Sequence, residues 1–302
     1  MGVNLTESVV SPARAGWAAT WIRPLAIATL VTNVVIVVTG GVVRLTASGL
    51  GCPTWPRCTD RSFVPHGALG IHGAIEFGNR MVTFLLAAVA IATFVAAWRY
   101  GRTSIIKLAF ILGLGVPAQA VVGGITVLTD LNPWVVAFHL LVSLAMIGVS
   151  VVLLRRLHEG DGPALLTVPA SSAWLVRSTF AVGWIVLYVG TAVTGSGPHA
   201  GDVDAPRNGL DPESLSQLHT DVVFLLVGLT IGALFALRSV GAPARAVKAA
   251  RVLLAVELAQ GLIGFVQYFT DLPVVLVGFH LFGAGLVSAA LTWLLVGIRE
   301  RA

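Results

Sequence analysis

The chain has 302 residues, 56% hydrophobic and only 11% charged, with two cysteines and a net charge of +5. A water-soluble domain needs far more charge to cover its surface, so the soluble globular classes are excluded. The basic excess is segregated, with fourteen of the 19 Lys and Arg at the chain ends and in the connections 2–3, 4–5 and 6–7 between apolar runs, which excludes a nucleic-acid-binding footprint.

Eight apolar runs are found, roughly at 24–43, 76–98, 105–127, 134–154, 175–194, 217–237, 247–268 and 275–297. Crossing a hydrocarbon core of ~30 Å takes about 20 residues, and only bundled helices satisfy the backbone of such runs in lipid. The first run is longer than a signal-peptide core and lacks a small-residue cleavage site, so it reads as helix 1. The positive-inside rule puts both termini in the cytoplasm, with a multi-pass chain in the cell membrane. The outer face then holds Arg44, Arg57, Arg61, Arg80 and Arg207 and most of the acidic residues.

After helix 1, "GLGCPTWPRC" carries the two cysteines, Cys52 and Cys58. On the oxidising side of a membrane such a pair can close a short loop as a disulfide. Helix 2 opens with "IHGAIEFGNR", which sets His72, Glu76, Asn79 and Arg80 at helical spacing on the mouth of an apolar helix. An ionisable group at that depth is costly and points to function. The plain alternative is a Glu76–Arg80 ion pair at i,i+4.

Helices 3 and 4 reveal a duplication. Residues 118–140, "AQAVVGGITVLTDLNPWVVAFHL", align without a gap to 259–281, "AQGLIGFVQYFTDLPVVLVGFHL", with ten of the 23 positions identical. "TASGLG" at 46–51 likewise echoes "TGSGPH" at 194–199. The expected fold is an all-α membrane protein of eight transmembrane helices, arranged as two tandem, parallel-oriented four-helix bundles. The halves span 24–155 and 175–298, joined by a cytoplasmic linker at 156–174 and flanked by cytoplasmic ends at 1–23 and 299–302. Four helices per half keep both halves in the same orientation, so equivalent residues lie at equal depth on the same side.

The histidines follow the repeat. His139 in helix 4 corresponds to His280 in helix 8, and His219 in helix 6 falls opposite Asn79 in helix 2. Each even-numbered helix thus has an imidazole position near its outer end, and three of the four are filled. Two imidazoles at matched depth are the simplest bis-axial ligation of haem, so His219 and His280 read as ligands of one b-type haem. Zinc would want further Cys or carboxylate ligands, and the second half offers none. Gly278, Gly283, Ala284 and Gly285 would leave room for a porphyrin, or serve helix packing. The first half combines His139 with Glu76 and Asn79. Such an unequal site suits a substrate undergoing change, whereas the bis-imidazole site suits electron storage.

"SGLGCPTWPRC", "IEFGNR", "FHLLVSL", "TGSGPHAGD", "QLHTD" and "GFHLFGAGL" together make the chain resemble the haem A synthase family over about residues 24–298. The resemblance implies an oxidoreductase that converts the C8 methyl of haem O to the formyl group of haem A, through hydroxylated intermediates, for cytochrome oxidase assembly. It implies haem O in the N-terminal half and one b haem in the C-terminal half, both near the outer face. Carried over, His219 and His280 match the b-haem ligands, His139 one substrate-haem histidine, Glu76 the essential glutamate, and Cys52 and Cys58 the outer-loop cysteine pair. Arg80 is expected beside a haem propionate or Glu76. The expected partners are the haem O synthase (the protohaem farnesyltransferase) as donor, an electron acceptor of unassigned identity, the lipid bilayer and, as an open alternative, a second copy of the chain; no nucleic acid is expected.

The sequence departs from the family pattern where Glu-x-x-His-Arg reads Glu-x-x-Asn-Arg, and a second cysteine pair is replaced by "GSGPHAGD". Asn79 is a poor iron ligand. The substrate haem is then five-coordinate on His139, carries a water held by Asn79, or recruits His72. His72 lies two helical turns from Asn79, roughly 10 Å along the axis, which favours the first two. The rival functional class is a dihaem, quinol-linked electron carrier; a transporter is disfavoured because no broken helix carries central charges.

Overall fold

The computed structural model describes residues 12–301, so part of the expected N-terminal end lies outside the described residues. Among the described residues eight α-helices follow one another: α1 (Pro12–Leu45), α2 (Gly70–Tyr100), α3 (Thr103–Leu128), α4 (Pro133–Arg156), α5 (Ala170–Ser196), α6 (Pro212–Ser239), α7 (Ala244–Phe269) and α8 (Val274–Gly297). All eight are long and apolar enough to cross a membrane. Large apolar side chains such as Ile91, Trp98 and Phe235 stand on the outside of the bundle, the pattern expected when the surrounding solvent is lipid. This is a multi-pass membrane protein.

Several helices overrun their apolar stretches, because apolarity marks only the immersed part and capping chemistry sets the ends. Asp211 starts α6, its Oδ2 accepting the Ser214 N–H at 2.7 Å with Pro212 next in line. Asn132 starts α4 in the same way, accepting the Trp134 N–H at 3.0 Å ahead of Pro133. Each side chain satisfies an orphan N–H of the first turn, and proline there gives up no helical hydrogen bond.

Helices α1–α4 close one ring of neighbours and α5–α8 a second. The rings meet where α8 packs on α1 and α4, and α5 on α4. At this seam Gly148 of α4 faces Thr292 and Ser288 of α8, and the Ser288 Oγ donates to the Leu144 carbonyl at 2.7 Å. Small residues here let two backbones approach closely. The duplication is visible in the backbone itself. Asp130 and Leu131 both adopt positive φ, as do Asp271 and Leu272. Leu131 N–H bonds to the Thr126 carbonyl and Leu272 N–H to that of Gln267, each at 2.8 Å. The repeated Thr-Asp-Leu triplet therefore encodes one left-handed turn twice. That conformation is uncommon for residues other than glycine.

Two separate apolar cores fill the end of the molecule near the interhelix linker. Residues such as Leu86, Ile105, Leu112 and Leu153 form the first. Leu226, Leu237, Leu253 and Leu291 belong to the second. In lipid such cores hold by close packing more than by exclusion of water. At the same end, β1 (Leu165–Leu166) of the linker pairs antiparallel with β2 (Arg299–Glu300). The opposite end, carrying the cysteine loop, stays open as a cavity.

Candidate functional site

The cavity has a volume of about 2290 Å³ and runs through both halves. Pockets for drug-sized ligands measure roughly 300–1,000 Å³, so there is room for two large guests. Its wall includes His139, His219 and His280, together with Glu76, Asn79 and Arg80.

Each imidazole lies over a glycine of the preceding helix. A Cβ at Gly123 of α3 would stand 3.4 Å from the His139 Cε1, at Gly264 of α7 3.6 Å from that of His280, and at Gly190 of α5 3.0 Å from that of His219. Gly123 and Gly264 are repeat-related, as are the histidines they face. The Nδ1 atoms of all three rings are enclosed and have no hydrogen-bond partner; the Val186 carbonyl near His219 falls outside hydrogen-bond geometry. The Nε2 atoms, by contrast, are neither enclosed nor hydrogen-bonded within the chain, so each ring keeps one nitrogen free for a guest in the cavity.

His219 and His280 face each other with ring centroids 6.4 Å apart and planes at 78°. Imidazole nitrogens bind transition metals at about 2.0–2.1 Å, so two rings on opposite sides of one ion have centroids about 6 Å apart. The pair thus fits a single metal between the rings. Among the described residues no cluster of three or more His, Cys, Asp or Glu could complete a bare-ion site. The donor set suits a metal that brings its own equatorial ligands, as haem does.

The N-terminal chamber is built differently. His139 is positioned from behind: Gln119 Nε2 donates to its carbonyl at 3.0 Å and to Ser143 Oγ at 2.6 Å. Asn79 has its amide oxygen engaged, since its Oδ1 accepts the Thr39 hydroxyl at 2.7 Å. Glu76 is 5% exposed. Its Oε2 takes the Cys52 N–H and its Oε1 the Arg80 guanidinium, both at 2.5 Å. Arg80 also donates to the carbonyls of Cys52, Thr54, Pro56 and Arg57. The ion pair therefore moors the loop closed by the Cys52–Cys58 disulfide, whose Cα atoms are 4.4 Å apart. Trp55 of that loop lies against Gly124, beside the glycine that faces His139. The loop covers the chamber.

Three sequence expectations are modified by this geometry. His72 is exposed and off the cavity wall, with Nδ1 3.0 Å from Ser48 Oγ. Arg80 is occupied by five oxygen acceptors of the loop and Glu76, which leaves little for a propionate. Of the small residues near His280, only Ala284 lines the cavity; Gly278, Gly283 and Gly285 accommodate Leu45, Gln260 and Ile147. Sequence reasoning missed the glycines beneath the rings, although Gly123 and Gly264 are identical in the repeat alignment. It also missed the Thr39 tether, which no local pattern announces.

The sequence profile of the COX15-CtaA family, described as cytochrome oxidase assembly protein, matches residues 23–204, more than half of the chain. The chain belongs to this family. The match takes in the N-terminal half, with Glu76, Asn79 and His139, and continues through α5. Relatives of this family member include the haem A synthase of Geobacillus thermodenitrificans, 31% identical over 138 residues, which are 45% of this chain and 43% of that protein. The haem A synthase of Geobacillus kaustophilus is 30% identical over 132 residues, 43% of this chain and 41% of the relative. That of Halalkalibacterium halodurans is 30% identical over 173 residues, 55% and 56% of the two chains. The chain thus spans about half the length of the curated relatives it matches.

Proposed function

We propose that the protein is a haem A synthase, an oxidoreductase that converts the C8 methyl of haem O to a formyl group through hydroxylated intermediates. One observation carries this reading: a single cavity joins a facing pair of imidazoles, His219 and His280, to a lone imidazole, His139, that shares its wall with a carboxylate. The names of the relatives support the same activity. The family's role in cytochrome oxidase assembly gives the product a destination.

In this reading the C-terminal half, 175–298, holds one b haem through His219 and His280, and that haem supplies one-electron storage when bound. The N-terminal half, 24–155, holds haem O through His139. Asn79, tied to Thr39, leaves the opposite axial position to water or to nothing. Glu76 stands as a fixed negative charge compensated by Arg80, placed to stabilise positive charge as electrons leave the substrate. Proton abstraction by Glu76 would first require it to release Arg80 or the Cys52 N–H, so charge stabilisation is the simpler role. The disulfide loop, carrying Trp55, keeps bulk water from the reacting end. Both termini face the cytoplasm and the chambers open near the outer face, where haem O arrives from its farnesyltransferase. The chain resides in the cell membrane.

The test is haem extraction from cells that make haem O but no haem A, with and without this gene. Haem A should appear only with the gene, and purified protein should show a low-spin b-type spectrum. Unchanged haem O alongside a two-haem low-spin spectrum would make the protein an electron carrier instead.

A further inference from the structure

With Arg80 engaged by its loop, the charge that would receive a guest's acidic groups must come from elsewhere. Two other arginines line the cavity, one from each half. Arg44, in the last turn of α1, donates from Nη2 to the Thr194 carbonyl at 2.9 Å, while its Nε is enclosed and without a partner. Arg207, exposed on the α5–α6 connection, donates to the carbonyls of Ala205 at 2.6 Å and Pro198 at 2.8 Å. Both also line a side pocket of about 280 Å³. Neither belongs to an ion pair among the described residues. Asp202 lines the same side pocket, and its Oδ1 is taken by the Asp204 N–H. Arg44, enclosed and held by a neutral carbonyl, lacks the anion that normally offsets desolvation, and Arg207 stands on the same pocket.

The position of Arg44 relative to α8 indicates which chamber it serves. Gly41 abuts Leu281, and Leu45 lies 3.5 Å from the place of a Gly278 Cβ, so this turn of α1 packs on the turn of α8 that carries His280. The N–H of Gly49 bonds to the Gly201 carbonyl at 2.8 Å, pinning the Arg207 loop over the same seam. The repeat counterpart of Arg44, from the 46–51 and 194–199 alignment, is Ala192. The charge is therefore not a relic of the duplication.

We propose that Arg44 and Arg207 form a carboxylate clamp across the seam, and that its ligand is the propionate pair of the porphyrin gripped by His219 and His280. Guanidinium forks match carboxylates in two-point geometry, which ammonium groups cannot reproduce. The C-terminal haem site is thus completed by the N-terminal half. This inference rests on the haem reading above, and its test keeps the two apart.

The full-length protein, depleted of haem in detergent, is titrated with iron protoporphyrin IX and with its dimethyl ester, following the low-spin spectrum. Wild type should prefer the free acid by about tenfold or more, each charged hydrogen bond being worth a factor of that order. Arg207→Gln, a change at an exposed loop position, should cut the preference severalfold, and Arg44→Gln/Arg207→Gln should abolish it while the ester binds as before. Arg44→Lys should recover only part of it. An undiminished preference in Arg207→Gln and in the double variant overturns the clamp. His219→Ala serves as the control: retention of the low-spin spectrum there overturns the haem reading itself, and the clamp with it.

Discussion

At the depth where the N-terminal half carries Glu76, Asn79 and Arg80 on α2, the C-terminal half carries Ser216, His219 and Thr220 on α6. Ser216 and Thr220 turn their hydroxyls back to the carbonyls of Pro212 and Ser216, so neither reproduces the Glu76–Arg80 ion pair beside the imidazole. The N-terminal wall offers a fixed ion pair and an amide whose oxygen is already in use. Deeper in the bundle the asymmetry reverses. Glu257 of α7, 4% exposed, accepts the Thr230 hydroxyl at 2.8 Å and leaves its other oxygen without a partner. The N-terminal counterparts are Val116 and Ala90. Duplication thus supplied one scaffold twice, with matching turns and matching glycines beneath matching histidines. The two chambers then diverged through a handful of side chains that left the backbone alone.

The largest effect should come from removing the imidazole pair. His219→Ala or His280→Ala is expected to lose nearly all low-spin b haem from purified protein, whereas His139→Ala should keep it and lose haem A output, as read by visible and paramagnetic resonance spectra. Next in size, Glu76→Ala should lower haem A formation about 100-fold or more, the scale of a lost charged group at a reacting centre, with the b haem retained. Glu76→Gln should recover the thermal stability lost with the loop mooring but not the turnover, which separates charge from positioning. Asn79→His brings the N-terminal wall toward its counterpart. It should add a second low-spin signal when haem O is bound, and an unchanged spectrum would show that this position does not govern coordination.

Smaller effects probe the deeper contrast. Thr230→Ala strips Glu257 of its one partner and should cost about 1–3 kcal/mol in thermal unfolding. Adding Glu257→Val, which copies the N-terminal half, should regain most of that loss. The smallest effect concerns the linker. Hydrogen bonds from Arg102, then Ser104, hold the Asp161 carboxyl down to about 2, with Arg156 adding to the attraction. A depressed pKa stabilises the fold above the unfolded carboxyl value of about 3.9. That contribution fades as pH falls from there through about 2. Because Asp161 is exposed, Asp161→Asn should cost only a few tenths of a kcal/mol at neutral pH. The difference from wild type should vanish in acid.

Much of this was legible in the linear chain. The eight spans follow from apolar run length alone, and the duplication from polar landmarks that membrane composition cannot mimic. His139, His219 and His280 stood out because imidazoles recurred at one position of the repeat. The helix ends were less legible, since α1 and α2 begin well before their apolar stretches and no side-chain cap marks where α2 starts. The role of Arg80 was legible only in part: i,i+4 spacing announced its bond to Glu76, but not the four loop carbonyls that make it a mooring.

The sequence by itself determined that this chain spans a membrane eight times, is built twice over, and carries three histidines at matched depth. Those properties depend on residue type and spacing along one strand of chain. Only the tertiary structure decided which groups are free to act. It left the Nδ1 atoms of the three histidines without partners, tied Asn79 to Thr39 and Arg80 to the cysteine loop, and packed the end of α1, which carries Arg44, against α8 of the other half. The reason is that hydrogen bonds between residues far apart in the chain compete for the same few donors and acceptors, and only packing determines which partners win.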